Sequence, residues 1–282
     1  MACVRRATGT VRAGGPRITR IDGICPRHDE MMATTVRLRI ETICVVATAL
    51  LCLGVVGGVV AEQPTVWFGV AAVGSLYPLL ECYRNLDDNR PPGSEHLVPT
   101  LGVANAITVT RGVLLAAVAG FLLSDPAFSW LPAAGFLVAA AGDGIDGAVA
   151  RRRQETVLGA RLDASMDAYA VLVGGAVAVG GGSLPAWYLL AGFVWYGYTV
   201  ALWIRKRGGR PVYGLPESRL RSVVGVGQLA VVGAGLLPGV SGPWLAVVAA
   251  IALCALSVSF IRDFAVATGR LPAERSTLSV IE

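Results

Sequence analysis

The sequence predicts an all-α fold, a polytopic bundle of transmembrane helices, and three observations predict it. Of the 282 residues 54% are hydrophobic and 15% charged, whereas a soluble domain carries about 25% charged residues. The mean hydropathy is +0.62. The apolar residues fall into runs of about 20, the length that crosses a bilayer as a helix, separated by turn-like connections. Thirty-five glycines suit such a bundle, because a missing side chain lets membrane helices approach closely.

Taken in order, residues 1–40 hold eight arginines and no sustained apolar run. A signal peptide would have an apolar stretch near its start. The segment reads as a basic cytosolic tail facing anionic lipid, or as a disordered or misassigned start with Met31 or Met32 as the first residue. A span over 42–60 follows, containing Gly54 and Gly58, a short G-x-x-x-G pair that reads as ordinary packing glycines. Glu62-Gln63-Pro64 turns the chain into a shorter span over 66–81; these two spans and their linker form a hairpin segment over 41–98. The third span, 104–123, ends at Ser124-Asp125-Pro126, and the fourth, 130–150, meets a basic loop at Arg151–Arg153. The fifth, 158–180, and sixth, 185–204, are joined by the Gly180 to Pro185 turn. The seventh, 222–238, and eighth, 243–261, are joined by the Pro238 to Pro243 turn. Cys44, Cys52 and Cys254 lie within apolar runs, where cysteine behaves as a small hydrophobe. No C-x-x-C pair exists and the only histidines are His28 and His96, which argues against a disulfide framework, a zinc site and histidine-based chemistry.

Eight spans place alternate connections on opposite sides. All 24 lysines and arginines lie in the 1–41, 82–103, 151–153, 205–221 and C-terminal segments or at the span ends that meet them. The positive-inside rule puts that side, with both termini, in the cytoplasm of a multi-pass protein of the cell membrane. The basic charge is thereby assigned to membrane anchoring, with no nucleic-acid partner expected.

The informative stretch is GDGIDGAVARRRQETVLGARLDASMD, residues 142–167. Asp143 and Asp146 are three apart, and Asp163 and Asp167 four apart, spacings that put each pair on one helix face. The short basic loop makes the two helices antiparallel neighbours, so the two acidic faces can meet. A carboxylate at the centre of a membrane helix costs roughly 2.5–3.5 kcal/mol on insertion scales; these lie nearer an end, where the cost is smaller. Capping or pairing with nearby arginines accounts for one or two such residues. Four together, with no His or Cys, suit a hard cation such as Mg²⁺ or Mn²⁺. Two such ions would offset the charge and create a phosphate site. Gly142, Gly144 and Gly147 also spell G-x-G-x-x-G, but the dinucleotide fingerprint needs a preceding strand and a soluble βαβ unit.

Asp143, Asp146, Gly147, Ala150, Arg151, Gly159, Asp163 and Asp167 match, in order, D-x-x-D-G-x-x-A-R followed by G-x-x-x-D-x-x-x-D. The chain thus resembles the CDP-alcohol phosphotransferase family. One departure is that seven residues separate Arg151 from Gly159, where the family more often has eight. Asn105, Thr108 and Arg111 are similar to the P-N-x-L-T-x-x-R start of the family's first core helix, with Ala104 where Pro is common; a polar helix start with a snorkelling arginine is the plainer reading. Ser218-Arg219-Leu220-Arg221-Ser222 resembles the G-K-x-K-T segment of glycerophosphate-using members, and also reads as an ordinary basic anchor.

The resemblance spans about residues 100–265 and implies a six-helix catalytic core over 99–265, with two N-terminal transmembrane helices before it and a cytosolic tail over 266–282. It implies transfer of a substituted phosphate group from a CDP-activated lipid to a small alcohol, with release of CMP, and a homodimer by analogy. Asp143, Asp146, Asp163 and Asp167 would hold two divalent ions, Mg²⁺ or Mn²⁺, and Asp167 would also take the acceptor's proton. Asn105, Thr108, Asp146, Gly147, Arg151 and Gly159 would bind the CDP moiety. Arg111, Arg153, Arg161, Arg219 and Arg221 could form a basic pocket for a phosphate on the acceptor, which favours a phosphorylated polyol such as glycerol 3-phosphate or inositol phosphate. The rival reading is a cation- or proton-coupled transporter, which predicts acidic residues near mid-membrane rather than at one cytosolic end.

Overall fold

The computed structural model describes residues 28–150, 156–215 and 218–271, with side chains throughout except at 28–31 and 143–150. Nine α-helices account for the described residues: α1 (His28–Val60), α2 (Pro64–Gly74), α3 (Leu76–Arg84), α4 (Val103–Ala119), α5 (Leu131–Ala150), α6 (Val157–Gly180), α7 (Leu189–Arg207), α8 (Arg219–Leu236) and α9 (Pro243–Ala267). The protein is an all-α, multi-pass membrane protein. Among the described residues six helical stretches are long and apolar enough to cross a membrane: Met32–Val60, Pro64–Arg84, Val103–Leu122, Val157–Gly180, Ala186–Arg207 and Pro243–Ala267. The expected fourth and seventh spans are helices, α5 and α8, but are not among these six: the part of α5 with described side chains, Leu131 to Gly142, is shorter, and α8 opens on Arg219 and Arg221.

The second span is one rod with a break. Pro78 has no N–H for the carbonyl one turn back, Gly74, and its ring disfavours a regular helix there. The Gly74 carbonyl instead accepts a hydrogen bond from Tyr169 Oη at 3.1 Å, so α2 and α3 meet at Ser75 without an orphaned acceptor. The Ser75 hydroxyl donates to the Ala71 carbonyl at 2.7 Å, which also keeps the joint in register.

α4 is the axis of the bundle, with α1, α2, α5 and α6 packed round it. Val109, Val113, Leu115 and Ala116 on it are fully buried. Gly112 explains the tight fit: a Cβ there would lie 2.6 Å from both Met166 Sδ and Pro78 Cβ, so α3, α4 and α6 meet where only glycine fits. Of the Gly54 and Gly58 pair, Gly54 faces Phe68 while Gly58 faces open space; the close contact on α1 is made by Gly57 against Trp67. The outer surface is aliphatic, with Val55, Val59, Ile251 and Ile261 each more than 60% exposed, as expected where lipid is the solvent.

The connections gather at two ends. At one end Glu62 N donates to the Asp125 carbonyl and Ala127 N to that of Val60, tying the first two non-basic turns together. At the other, Val157 N donates to the Arg90 carbonyl and Tyr213 N to that of Ala267. The fully buried Asn89 organises this second end. Its amide donates to the Val98 and Thr100 carbonyls at 3.0 and 2.9 Å, and its Oδ1 accepts from Asn105 Nδ2 at 3.2 Å.

Candidate functional site

The site is built on the first three turns of α6. Thr156 caps this helix, its Oγ1 accepting from Gly159 N at 3.0 Å, the usual way a threonine satisfies a free N–H of a first turn. From that fixed start, Gly159, Asp163 and Asp167 follow at intervals of four and line one face. At 1.5 Å per residue Asp167 lies about 15 Å along α6 from Val157. Gly159 marks the contact between α6 and α4: a Cβ there would be 2.8 Å from Asn105 Oδ1. Asn105 is itself buried and donates to the Leu101 carbonyl at 2.9 Å and to Thr156 Oγ1 at 3.3 Å. One α4 residue thus joins the cap of α6, the linker through Asn89, and its own helix start. Thr108, buried one turn further along α4, donates to the Ala104 carbonyl at 3.1 Å.

Arg111 is the next residue on that face and is 4% exposed. Its fork divides between the two carboxylates of α6: Nη1 donates to Asp163 Oδ1 at 3.2 Å, and Nη2 donates to Asp167 Oδ1. A buried guanidinium requires such partners, and its planar geometry holds both carboxylates at once. The two side chains remain 49% and 44% exposed and line a cavity of about 800 Å³ between α6, α7, α8 and α9. Across it stand Ser218, Arg219, Arg221 and Gln228.

Arg221 is fixed by Asp263, which accepts from its Nε at 2.8 Å. Gln228 is held by the Tyr188 hydroxyl at 2.7 Å and itself donates to the Ala252 carbonyl at 2.6 Å. The cavity therefore has Asp163 and Asp167 on its α6 wall and Arg219 and Arg221 on its α8 wall, with a largely apolar lining between them, and Gln228 ties α8 to α9 and to Tyr188 just before α7.

The five arginines of the expected basic pocket separate. Arg219 and Arg221 share the cavity with Asp163 and Asp167. Arg111 sits behind the carboxylates. Arg161 reaches the linker, with Nη1 2.6 Å from Asp88 Oδ2. Arg153, like Arg151, lies outside the described residues. Asp143, Asp146 and Gly147 are on the last turns of α5, but their side chains lie outside the described set, so the four-aspartate arrangement is described on its α6 half only. That half fits a hard divalent cation, because it offers carboxylate oxygens one turn apart on a face open to a cavity.

Two contributors were missing from the sequence reading. Asp263 gave a signal, an acid in the final apolar run at the same end as Arg219 and Arg221, but the eighth span was closed at residue 261, before it. Asn89 gave none, being one polar residue in a polar linker.

A family model described as CDP-alcohol phosphatidyltransferase matches residues 101–261, more than half of the chain. The match begins just before α4 and ends within α9, so it takes in Asn105, Arg111, Asp143, Asp146, Asp163, Asp167 and Arg221 and leaves α1, α2 and α3 outside. No curated protein and no solved structure matches.

Proposed function

The chain belongs to the CDP-alcohol phosphatidyltransferase family, whose members transfer a phosphatidyl-type group from a CDP-alcohol, and from that premise we propose that it joins a CDP-activated lipid to a phosphorylated polyol, releasing CMP. The observation that carries the reading is the cavity with Asp163 and Asp167 on one wall and Arg219 and Arg221 on the other. Carboxylates on one side and guanidinium groups on the other suit an acceptor that carries both a hydroxyl and a phosphate.

In this reading Asp143, Asp146, Asp163 and Asp167 hold two divalent ions, Mg²⁺ or Mn²⁺. Such ions, when bound, neutralise the charge of the diphosphate and stabilise the attacking and leaving oxygens. The chain's own residues supply position and charge, which is most of what phosphoryl transfer needs. Arg111 fixes the two α6 carboxylates in one orientation. Asp167 accepts the proton of the acceptor hydroxyl, since no histidine is at hand. Arg219 and Arg221 bind the acceptor's phosphate, Arg221 being held toward the cavity by Asp263. Gly147, Arg151, Asn105, Thr108 and Gly159 frame the nucleotide. The basic end of the bundle faces the cytoplasm, with both termini and the site, so that water-soluble CMP and acceptor exchange there while the lipid tails stay in the bilayer.

The test is CMP release by the purified protein from a CDP-activated lipid, with glycerol 3-phosphate, inositol phosphate, inositol and serine offered in turn. Release is expected with a phosphorylated acceptor, lost with EDTA and restored by Mg²⁺ or Mn²⁺. Release with serine alone would sink the acceptor assignment.

A further inference from the structure

Two stretches of the hairpin segment hold α6 on either side of Asp163 and Asp167. At the start of the helix, Val157 N is one of the first-turn donors that no residue of its own helix can satisfy; it donates to the Arg90 carbonyl at 2.9 Å. One turn on, Arg161 Nη1 meets Asp88 Oδ2 at 2.6 Å. Beyond the carboxylates, Tyr169 Oη donates to the Gly74 carbonyl at 3.1 Å, and its ring stacks on that of Tyr77 with centroids 4.7 Å apart. Arg161 lies two residues before Asp163, and Tyr169 two residues after Asp167. The partners Gly74, Tyr77, Asp88 and Arg90 all precede the matched region, which begins at residue 101. The described lining of the cavity comes from α6, α7, α8 with its cap Ser218, and α9, so the hairpin segment acts on that cavity through α6.

We propose that the hairpin segment is a positioning element of the site: it fixes α6 along its axis and so sets where Asp163 and Asp167 stand for a divalent ion. The proposal rests on the metal-holding role given to these carboxylates above. A helix moves as a rod, so a slip of α6 carries both carboxylates together. Arg111 does not travel with them, being rooted on α4 with its Cδ 3.5 Å from where a Cβ of Gly142 on α5 would stand. Nor is there slack in the packing, since Met166 of α6 and Pro78 of α3 close on the same point of α4, each 2.6 Å from the place of a Gly112 Cβ. One residue of slip is about 1.5 Å, and a misplacement of about 1 Å at a reacting centre costs about 10²-fold. Asp88 and Tyr169 are the positioning residues that can be altered without touching the cavity, because neither lines it.

The test is Mn²⁺ binding by the full chain in nanodiscs, read from the electron paramagnetic resonance of the free ion, beside CMP release. Tyr169→Phe is made in the Pro78→Ala background, where the Gly74 carbonyl has a donor in its own helix and the melting temperature should match that of Pro78→Ala alone. The Kd for Mn²⁺ is expected to rise about fivefold over Pro78→Ala all the same, the fold-change of one lost hydrogen bond, because the tie to α6 is gone. Asp88→Ala removes an ion pair whose side chains are 54% and 23% exposed, a pair of little worth to stability, and is expected to raise the Kd about threefold. Asp88→Asn keeps an oxygen for Arg161 and should restore it. In both weakened variants kcat should fall, while KM for the acceptor, whose arginines stand on α8, should not change. Glu95→Gln, at an exposed position of the same linker, should leave every constant at its wild-type value. An unchanged Kd in both variants, or a rise that only accompanies a lowered melting temperature, would overturn the proposal. Weakened Mn²⁺ binding in a protein that releases no CMP would count against the transfer reading and leave the positioning role standing. CMP release by wild-type protein that binds no Mn²⁺ would do the reverse, and a wild-type protein that does neither would overturn both.

Discussion

Arg111 shows how much of this site depends on geometry at a single residue. One planar guanidinium spans Asp163 and Asp167, and an ammonium is a point charge that cannot do so in the same way. Arg111→Lys is therefore expected to lower kcat by about 10²-fold, the usual cost of small misplacement at a reacting centre, with little change in expression; steady-state CMP release from detergent-solubilised protein checks this. Asp167→Asn removes the candidate base and is expected to lower the rate by about 10²–10⁴-fold while the protein's melting profile stays close to wild type. Gly159→Ala sets a Cβ 2.8 Å from Asn105 Oδ1, and overpacking of this kind costs about 1–3 kcal/mol; thermal unfolding in detergent should show it together with lost activity. The aspartates were legible in the sequence because carboxylates are rare in apolar spans and their spacing is that of a helix. The role of Arg111 between two of them was not, since i to i+3 spacing along α4 gives a face and cannot say which neighbour that face meets. The partner of Arg221 was missed because the eighth span ended too early, before Asp263.

At the scale of the helix, hydropathy and the turn residues located helices at all eight expected runs, six of which are long and apolar enough to cross a membrane among the described residues, because in lipid a spanning segment must satisfy its own backbone groups. The interruption of the second run was not read, although Pro78 announces it, because its consequence depends on a distant partner, Tyr169. That partnership gives an expected outcome: Tyr169→Phe leaves the Gly74 carbonyl without its donor and should cost about 1 kcal/mol, at the lower end of the range for an unsatisfied buried group, read as a lowered melting temperature. The linker before α4 was legible only as a polar connection. Its order comes from Asn89, whose amide is spent on the Val98 and Thr100 carbonyls, a fold of the loop that no periodicity records.

The whole molecule has a cavity on either side of one cluster of charge. On one side of Arg111, Asp163 and Asp167 lies the cavity with Arg219 and Arg221; on the other lies an apolar groove against α1. The basic end is assigned to the cytoplasm by charge asymmetry alone, and that assignment is open to direct test. In a background without the native cysteines, Arg210→Cys is expected to react with a membrane-impermeant maleimide from the cytoplasmic side, and Ser183→Cys from the opposite side. The reverse pattern would invert the protein and move the site to the outer face.

The Tyr169 bond to Gly74 makes two distant positions thermodynamically dependent on each other. It ties α6, which carries Asp163 and Asp167, to the Gly74 carbonyl that Pro78 leaves without a helical donor. Pro78→Ala restores an N–H to α3 and gives the Gly74 carbonyl a partner within its own helix, after which the Tyr169 hydroxyl has no obligation left. In a double-mutant cycle Tyr169→Phe should then be nearly silent in the Pro78→Ala background. The kink of the second span and the tyrosine of the core thus act as one unit, and a substitution at either sets what a substitution at the other costs.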